Sequence, residues 1–331
     1  MSSLPRSLAA ALALSLVLAL AGVEACGGDS SPAPPEMVPE DTTVTIPARG
    51  TDPTLDLATW NVQDFGSATG GPTDDLTQRR RVRDVILGSD LDVWGLQEIM
   101  DEDDFDLLLE ELPGYAGVLA DDPSVADGPA YYSGFNDTER KVALVYKTSV
   151  LEVLEARIVL TELDHEFAGR PPLEVRTRLT AEGAGASQTI TFLVLHAKAN
   201  AQVGSWQRRA AAAAGLKAYL DSTWPDDPVF VLGDFNDDVD TSITPGRDTP
   251  YRPFVEAGPL WVFPTAALSA AGETSILGFP DVIDHILASD EGMAAYEEGS
   301  ALVYRVDSLI PRYPQTVTDH LPVLARFRWS P

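Results

Sequence analysis

The chain has one cysteine, Cys26, and only four histidines in 331 residues. A single thiol excludes any intramolecular disulfide, so the fold must be held by its core. Basic residues are scarce as well: 23 Lys and Arg stand against 51 Asp and Glu, a net charge of −28. That balance disfavours a general coat on nucleic acid or on an anionic membrane. Long apolar runs are missing beyond residues 8–23, a stretch too short and too abruptly ended for a comfortable spanning helix. What is present is 44% hydrophobic, enough for one large core or two small ones.

The first segment reads as an address. Arg6 precedes the Leu- and Ala-rich run, and Ala25-Cys26-Gly27-Gly28 follows it, leading into a tract rich in Pro, Ser and Thr. The arrangement resembles a bacterial lipoprotein signal. The expected organisation is a signal peptide over residues 1–25, a disordered Pro-rich tether over 26–53 and one catalytic domain over 54–331. A lone cysteine directly after a signal segment suits lipid attachment better than redox chemistry. Plain secretion, with cleavage after Ala21 or Ala25, is the alternative. Either route takes the chain out of the cytoplasm, as a cell-envelope lipoprotein or a secreted protein. Cleavage removes Arg6 and Glu24 and leaves the net charge at −28.

From Leu55 onward short apolar runs alternate with amphipathic stretches, without an internal repeat or second linker. Runs at 55–60, 92–96, 142–146, 189–195, 229–232, 282–287 and 323–327 predict strands, and 76–87, 105–112 and 205–220 predict helices. The run Val229-Phe230-Val231-Leu232 is uniformly apolar, as in a strand buried on both faces. It stops at Gly233 and is followed by Asp234 and Asn236, which share one side of an extended chain. Gly233 leaves room for an unusual turn or a close ligand approach. Other strand ends repeat the manner. Asn61 follows the first run, Gln97 and Glu98 the second, and His196 follows Leu195; Asp284 interrupts an apolar run, and Thr318-Asp319-His320 precedes the last one. Singly, each could cap a turn or sit in the core. Together they place acid, amide and imidazole groups at one strand end after another. His165, in a polar loop, and His285, beside Asp284, are expected to be structural or surface residues.

Trp60-Asn61-Val62, Gln97-Glu98, Gly233-Asp234-Phe235-Asn236, Ile283-Asp284-His285-Ile286 and Thr318-Asp319-His320 stand in the order of the endonuclease/exonuclease/phosphatase superfamily. The resemblance covers nearly all of residues 55–329. His196 and the Glu139-Arg140 pair look like its pancreatic-type deoxyribonuclease and sphingomyelinase side. It implies an α/β fold, a four-layer sandwich of two packed mixed β-sheets flanked by helices, with the site at strand ends between the sheets. It also implies a Mg²⁺- or Mn²⁺-dependent phosphodiesterase. Glu98, Asn61 and Asp319 would hold the metal, and Asp234 and Asn236 would align water and phosphate. His196 and His320 would flank the phosphate as acid and base, in an order left open, with Glu139 supporting His196 and Asp284 supporting His320.

The substrate is less determined. Gln63 and the acidic run at 99–104 stand where deoxyribonucleases carry DNA-contacting basic residues, and Asp137 replaces a minor-groove tyrosine. Duplex binding should therefore be weak. Arg140, Lys141, Lys198, Arg208 and Arg209 are the remaining basic candidates, and Arg79-Arg80-Arg81 is expected on the outer face of the first helix. Tyr131-Tyr132 and the stretch from Phe254 to Phe263 are candidates for a lipid-inserting surface. The leading expectation is an extracytoplasmic nuclease-like phosphodiesterase, monomeric, with no protein partner. A sphingomyelinase-like lipid phosphodiesterase or a phosphomonoesterase is the alternative, and a degenerate ligand-binding lipoprotein is the non-enzymatic one.

Overall fold

A computed structural model of the protein describes residues 44–131, 139–180 and 188–328. The expected signal peptide, Cys26, the first part of the tether, Tyr132 and Asp137 lie outside the described residues. Among the described residues, twelve strands form two sheets. The first contains β1 (Thr54–Phe65), β2 (Val93–Ile99), β3 (Tyr115–Leu119), β4 (Lys141–Lys147), β11 (Leu302–Val303) and β12 (Val323–Arg328). Its order is β11-β12-β1-β2-β4-β3. The second contains β5 (Leu151–Ile158), β6 (Leu173–Leu179), β7 (Thr189–His196), β8 (Val229–Asp234), β9 (Trp261–Val262) and β10 (Asp284–Ser289). Its order is β5-β6-β7-β8-β10-β9. Both sheets are mixed: β1–β2 and β7–β8 are parallel, and the other ladders are antiparallel.

Period-two alternation explains the layering. In β8, Phe230 and Leu232 point between the sheets, where they join Leu57, Val93, Leu144, Phe192 and Phe327. Val229 and Val231 point outward and are covered by Leu216 and Leu220 of the helix Val203–Thr223. In β1, Leu55 and Leu57 face inward, while Ala58, Trp60 and Val62 pack under Val82, Val85 and Ile86 of the helix Asp75–Ser89. Strands covered on both faces need apolar residues at every position, which is why these runs do not alternate with polar ones. The result is the expected four-layer α/β sandwich. A Cβ on Gly95 of β2 would come within 2.6 Å of the Leu232 Cβ, so glycine here lets the two sheets approach at the site end.

Several expectations are corrected. The folded part begins before residue 54: Ile46 is buried against Gly88, and Arg49 N and Gly50 N donate to the Ser89 carbonyl. Arg79 does not lie free on an outer face but bridges to Asp104 and Glu111 of the next helical segment. In the stretch from Phe254 to Phe263 the aromatic residues Phe254, Trp261 and Phe263 are packed in the core, and Val255 and Leu260 are its exposed apolar residues. The sequence reading does not predict β3, β5, β6, β9 or β11; β3, β5, β9 and β11 are sheet edges, while β6, largely buried between β5 and β7, alternates Leu173, Val175, Thr177 and Leu179 with Glu174, Arg176 and Arg178. No helix among the described residues is long and apolar enough to cross a membrane.

Candidate active site

The C-terminal ends of the parallel pairs β1–β2 and β7–β8 meet at one rim, and each brings a polar side chain. Asn61 ends the regular register of β1, and Glu98 stands at the irregularity in β2. Gln63, Asp64, Glu98 and Asn236 have φ of 39°, 49°, 66° and 52°, the left-handed region that non-glycine residues avoid. Such conformations cost about 1–3 kcal/mol each and persist where the surroundings over-determine them, as functional sites do. In the Gly-Asp-Phe-Asn segment the left-handed residue is Asn236, not Gly233. A Cβ on Gly233 would fall 2.7 Å from the Leu195 carbonyl oxygen. That glycine serves the close packing of β8 on β7, so neither a turn nor a ligand requires it.

Asn61 is the hub. Its Nδ2 donates to Glu98 Oε1 at 3.1 Å and to Asp234 Oδ2 at 3.0 Å, while its Oδ1 accepts from Gln63 N at 2.9 Å. The Gln63 bond fixes which end of the amide is oxygen. Asn61, expected to help hold the metal, thus stands at the junction of the site, its NH₂ group tying two carboxylates together and its oxygen accepting from the main chain. His196 Nε2 approaches the same two oxygens, at 3.7 Å from Glu98 and 3.5 Å from Asp234. The other ring nitrogen, Nδ1, is buried without a hydrogen-bond partner. Glu139 is thus not bonded to His196, contrary to expectation, because the carboxylates that reach the ring come from β2 and β8 instead. Arg140, its neighbour, turns to Asp64 Oδ1 at 2.7 Å and Glu98 Oε2 at 3.2 Å.

The second imidazole is held as expected. His320 Nδ1 lies 2.9 Å from Asp284 Oδ2, which also accepts from Ser275 Oγ at 2.7 Å. Ser275 in turn accepts from Ile283 N and Asp284 N. Trp60 Nε1 and Tyr313 Oη both donate to the His320 carbonyl, at 3.3 and 2.7 Å, and fix its backbone. Asn236 N donates to Asp234 Oδ1 at 2.8 Å, and Asn236 Nδ2 to Ala197 O at 3.2 Å, which joins the loops after β8 and β7. His285 is buried between Phe235 and Phe263, bonded to Thr265 and Val282, and His165 is exposed.

The electrostatics separate the two histidines. Burial pushes His196 well below its usual value, helped by the charges of Arg170, His320, Arg140 and Lys198. Burial alone would lower His320 too, but the Asp284, Asp234 and Asp319 carboxylates raise it to about 10. Burial and the Asp284 charge raise Asp234 to about 7. Burial followed by Glu98 raises Asp64, and burial raises Asp319 against the pull of His320.

Five carboxylates, those of Asp64, Glu98, Asp234, Asp284 and Asp319, thus crowd one rim with Arg140 and His320 as the cations nearest them. The donors are hard oxygens, the chemistry that Mg²⁺ or Mn²⁺ takes, and Asp284 Oδ1 is buried with no hydrogen-bond partner. The set fits a divalent cation. Asp234, Asp284 and His320 offer atoms within 4.8 Å of one another. His320 Nδ1 is committed to Asp284, however, so Glu98 is the better anchor, its side chain still 16% exposed.

Sequence reading missed the clamp beneath the site. Arg209, expected among DNA-contacting basic residues, is wholly buried, and its Nε and Nη2 both donate to Asp237 Oδ2, at 2.9 and 2.7 Å. It also donates to the carbonyls of Lys198 and Asn200, at 2.7 and 2.8 Å. It therefore locks the loop after His196 to the loop after Asn236. Lys141 is likewise buried, between Glu102 and Asp121. An Arg at an inward position of an amphipathic helix was the available signal for Arg209. Ser275 and Asp64 carried none.

The model of the Endonuclease/Exonuclease/phosphatase family matches residues 58–320. The chain belongs to that family. Membership supports a phosphoesterase. The human Nocturnin catalytic domain, solved with bound sulfate, is similar at a TM-score of 0.56 and 20% identity, over 84% of this chain and 95% of that one. A humanized D. rerio TDP2 is similar at 0.56 and 14%, over 83% and 98%. A Bacteroides thetaiotaomicron mannosyl-6-phosphatase is similar at 0.51 and 16%, over 82% and 98%. These likenesses are of fold. No curated protein matches the chain in sequence.

Proposed function

We propose that this protein is a divalent-metal-dependent phosphodiesterase acting outside the cytoplasm. The observation that carries the reading is the junction of Asn61 with Glu98 and Asp234, facing His196 and lying beside the Asp284–His320 pair. Phosphoester hydrolysis needs an aligned water, charge stabilisation on the phosphoryl oxygens and a proton for the leaving oxygen. Glu98 and Asp319 would hold Mg²⁺ or Mn²⁺, which when bound supplies Lewis-acid charge to the phosphoryl group. Asp234, raised to about 7, is poised to take a proton from the attacking water near neutral pH. His320 as imidazolium stabilises the phosphoryl charge, and its pairing with Asp284 fixes the ring so that Nε2 is the atom presented. His196 stays a neutral imidazole beside the Glu98 and Asp234 oxygens. Asn236 holds the Asp234 carboxylate through its own N–H.

A D. rerio TDP2 structure complexed with single strand DNA product has the same fold, at a TM-score of 0.54 and 14% identity, which fits a nuclease-like reading. The mannosyl-6-phosphatase keeps monoester hydrolysis as the second reading. Export through the segment at 1–25 and anchoring through Cys26 belong to the same proposal. The test is a panel of bis-p-nitrophenyl phosphate, p-nitrophenyl phosphate, plasmid DNA, RNA and sphingomyelin, each with Mg²⁺, Mn²⁺ or EDTA. Metal-dependent cleavage of the diesters is expected. Cleavage of sphingomyelin alone, or of the monoester alone, overturns the nuclease-like reading. No hydrolysis at all points to a ligand-binding protein.

A further inference from the structure

Gln78 is a polar residue at a core position. In the helix Asp75–Ser89 it shares the inward face with Val82, Val85 and Ile86, and it is as fully buried as they are. A buried carboxamide is costly unless its polar atoms are met. Its Nε2 donates to Val62 O at 2.8 Å, and to Gln63 O and Val317 O at 2.9 Å each. Three carbonyls around one end of the amide identify that end as the nitrogen, with one hydrogen shared between two of them. Oε1 accepts from Gly66 N at 3.4 Å. One helix side chain thus binds the loop after β1 and a segment 239 residues further along the chain.

Those two segments carry opposite halves of the site. The end of β1 presents Asn61 and Asp64 beside Glu98, and the later segment leads through Thr318 and Asp319 to His320. The β1–β12 ladder ends at Thr59 and Val323, so main-chain pairing reaches neither half. Beyond that point side chains join them. Thr318 Oγ1 donates to Asn61 O at 2.9 Å and accepts from His320 N at 3.1 Å, and Trp60 Nε1 donates to His320 O. Gln78 grips the strained part: its bonds to Val62 O and Gln63 O fix the peptide planes on either side of the left-handed Gln63. We propose that Gln78 is a positioning residue that sets the spacing between the carboxylate side of the rim, at Asn61, Asp64 and Glu98, and the His320 imidazolium. It touches no reacting atom and acts through the backbone of both. This role deepens the phosphodiesterase reading and rests on it, because there both halves must meet one phosphoryl group.

Steady-state hydrolysis of bis-p-nitrophenyl phosphate in Mn²⁺ tests it on the full chain. The variants are Gln78→Met, His320→Gln and the two combined, each shown by thermal melting to be folded at the assay temperature. Methionine keeps the length and helix preference of glutamine and removes its donors. The expected result is a kcat at least about thirtyfold lower in Gln78→Met, with KM within about threefold of wild type. Added to His320→Gln, the same substitution should cost less than about threefold more, since residues that act as one unit give non-additive losses. A lower melting temperature with wild-type kcat, or the same loss in both backgrounds, overturns the role and leaves Gln78 a structural contact. If Gln78→Met does not fold, Gln78→Asn, which withdraws the amide by one methylene, is read by the same criteria. Failure of the phosphodiesterase reading is separable, because native-state hydrogen exchange needs no substrate. In the Gln78 variant the Asp64 and His320 amides should lose protection together, while those of the β1–β12 ladder keep theirs. With no hydrolysis by wild type, that joint loss upholds the tie, and loss at one amide or at neither overturns it.

Discussion

Asp284 Oδ2 and His320 Nδ1 form a buried pair at 2.9 Å, with Asp284 itself held by Ser275. The pair joins β10 of one sheet to the segment that leads into β12 of the other, so the pair proposed to act in catalysis is also a cross-sheet contact. Its charge state sets the first prediction.

Raised to about 10 from an unfolded value near 6.5, His320 contributes stability that is complete below pH 6.5 and lost as pH rises towards 10. Metal-free protein should therefore melt at progressively lower temperature between pH 7 and pH 10. Asp284→Asn removes the largest source of the rise and should flatten that slope. It should also lower turnover by about 10²-fold, as expected when a catalytic imidazole loses its orienting acid. A slope unchanged by Asp284→Asn would show that another group titrates there.

Asn61→Asp replaces the amide that bridges two carboxylates with a third carboxylate. In EDTA at pH 8 it should cost about 1–3 kcal/mol, because the Glu98 and Asp234 oxygens lose a donor and gain a like charge. Much of that loss should be recovered on adding Mn²⁺ or on lowering the pH to 5. Denaturant unfolding in the two conditions measures it, and equal stability to wild type in EDTA contradicts the bridging role.

Breaking the buried Arg209–Asp237 pair leaves an uncompensated charge, so Arg209→Met should destabilise by about 3–5 kcal/mol. Adding Asp237→Asn to that variant should recover part of the loss. Turnover of the folded double variant should stay low, because the carbonyls of Lys198 and Asn200 have lost their anchor. Full activity in the double variant would reduce the pair to a purely structural contact.

Gly233→Ala drives a methyl group towards the Leu195 carbonyl and side chain. Overpacking of this kind costs about 1–3 kcal/mol. Since His196 follows Leu195 directly, kcat should fall with it. Unfolding and steady-state rates of this single variant check both halves.

The fold and the rim were legible from sequence for one physical reason. Strands covered on both faces, such as β8 with Val229, Phe230, Val231 and Leu232 all buried, leave a continuous apolar signal that ends sharply where the polar site begins. Edge strands carry no such signal. In β5 the pattern of buried, half-buried and exposed residues follows no strict alternation, and a register shift between Val153 and Glu155 breaks it further. At the site, residue types were legible and partners were not. Asn61 stands after a strand as expected, yet nothing local to it shows that its NH₂ group bridges carboxylates from two different sheets. Glu139 was paired with His196 by resemblance, while the ring is met by Glu98 and Asp234 from opposite sheets. Arg209 reads as a basic candidate for substrate contact because its acid, Asp237, lies 28 residues further along the chain, beyond β8.

The central claim is metal-dependent phosphoester hydrolysis anchored on Glu98. Its most direct measurement is the turnover of bis-p-nitrophenyl phosphate by wild type and Glu98→Gln, across a titration of Mn²⁺ against EDTA. The account predicts turnover that appears with Mn²⁺, vanishes in EDTA and falls at least about 10²-fold in Glu98→Gln, with a higher Mn²⁺ requirement. Hydrolysis that persists in EDTA, or a Glu98→Gln variant with wild-type rate and metal dependence, would contradict it.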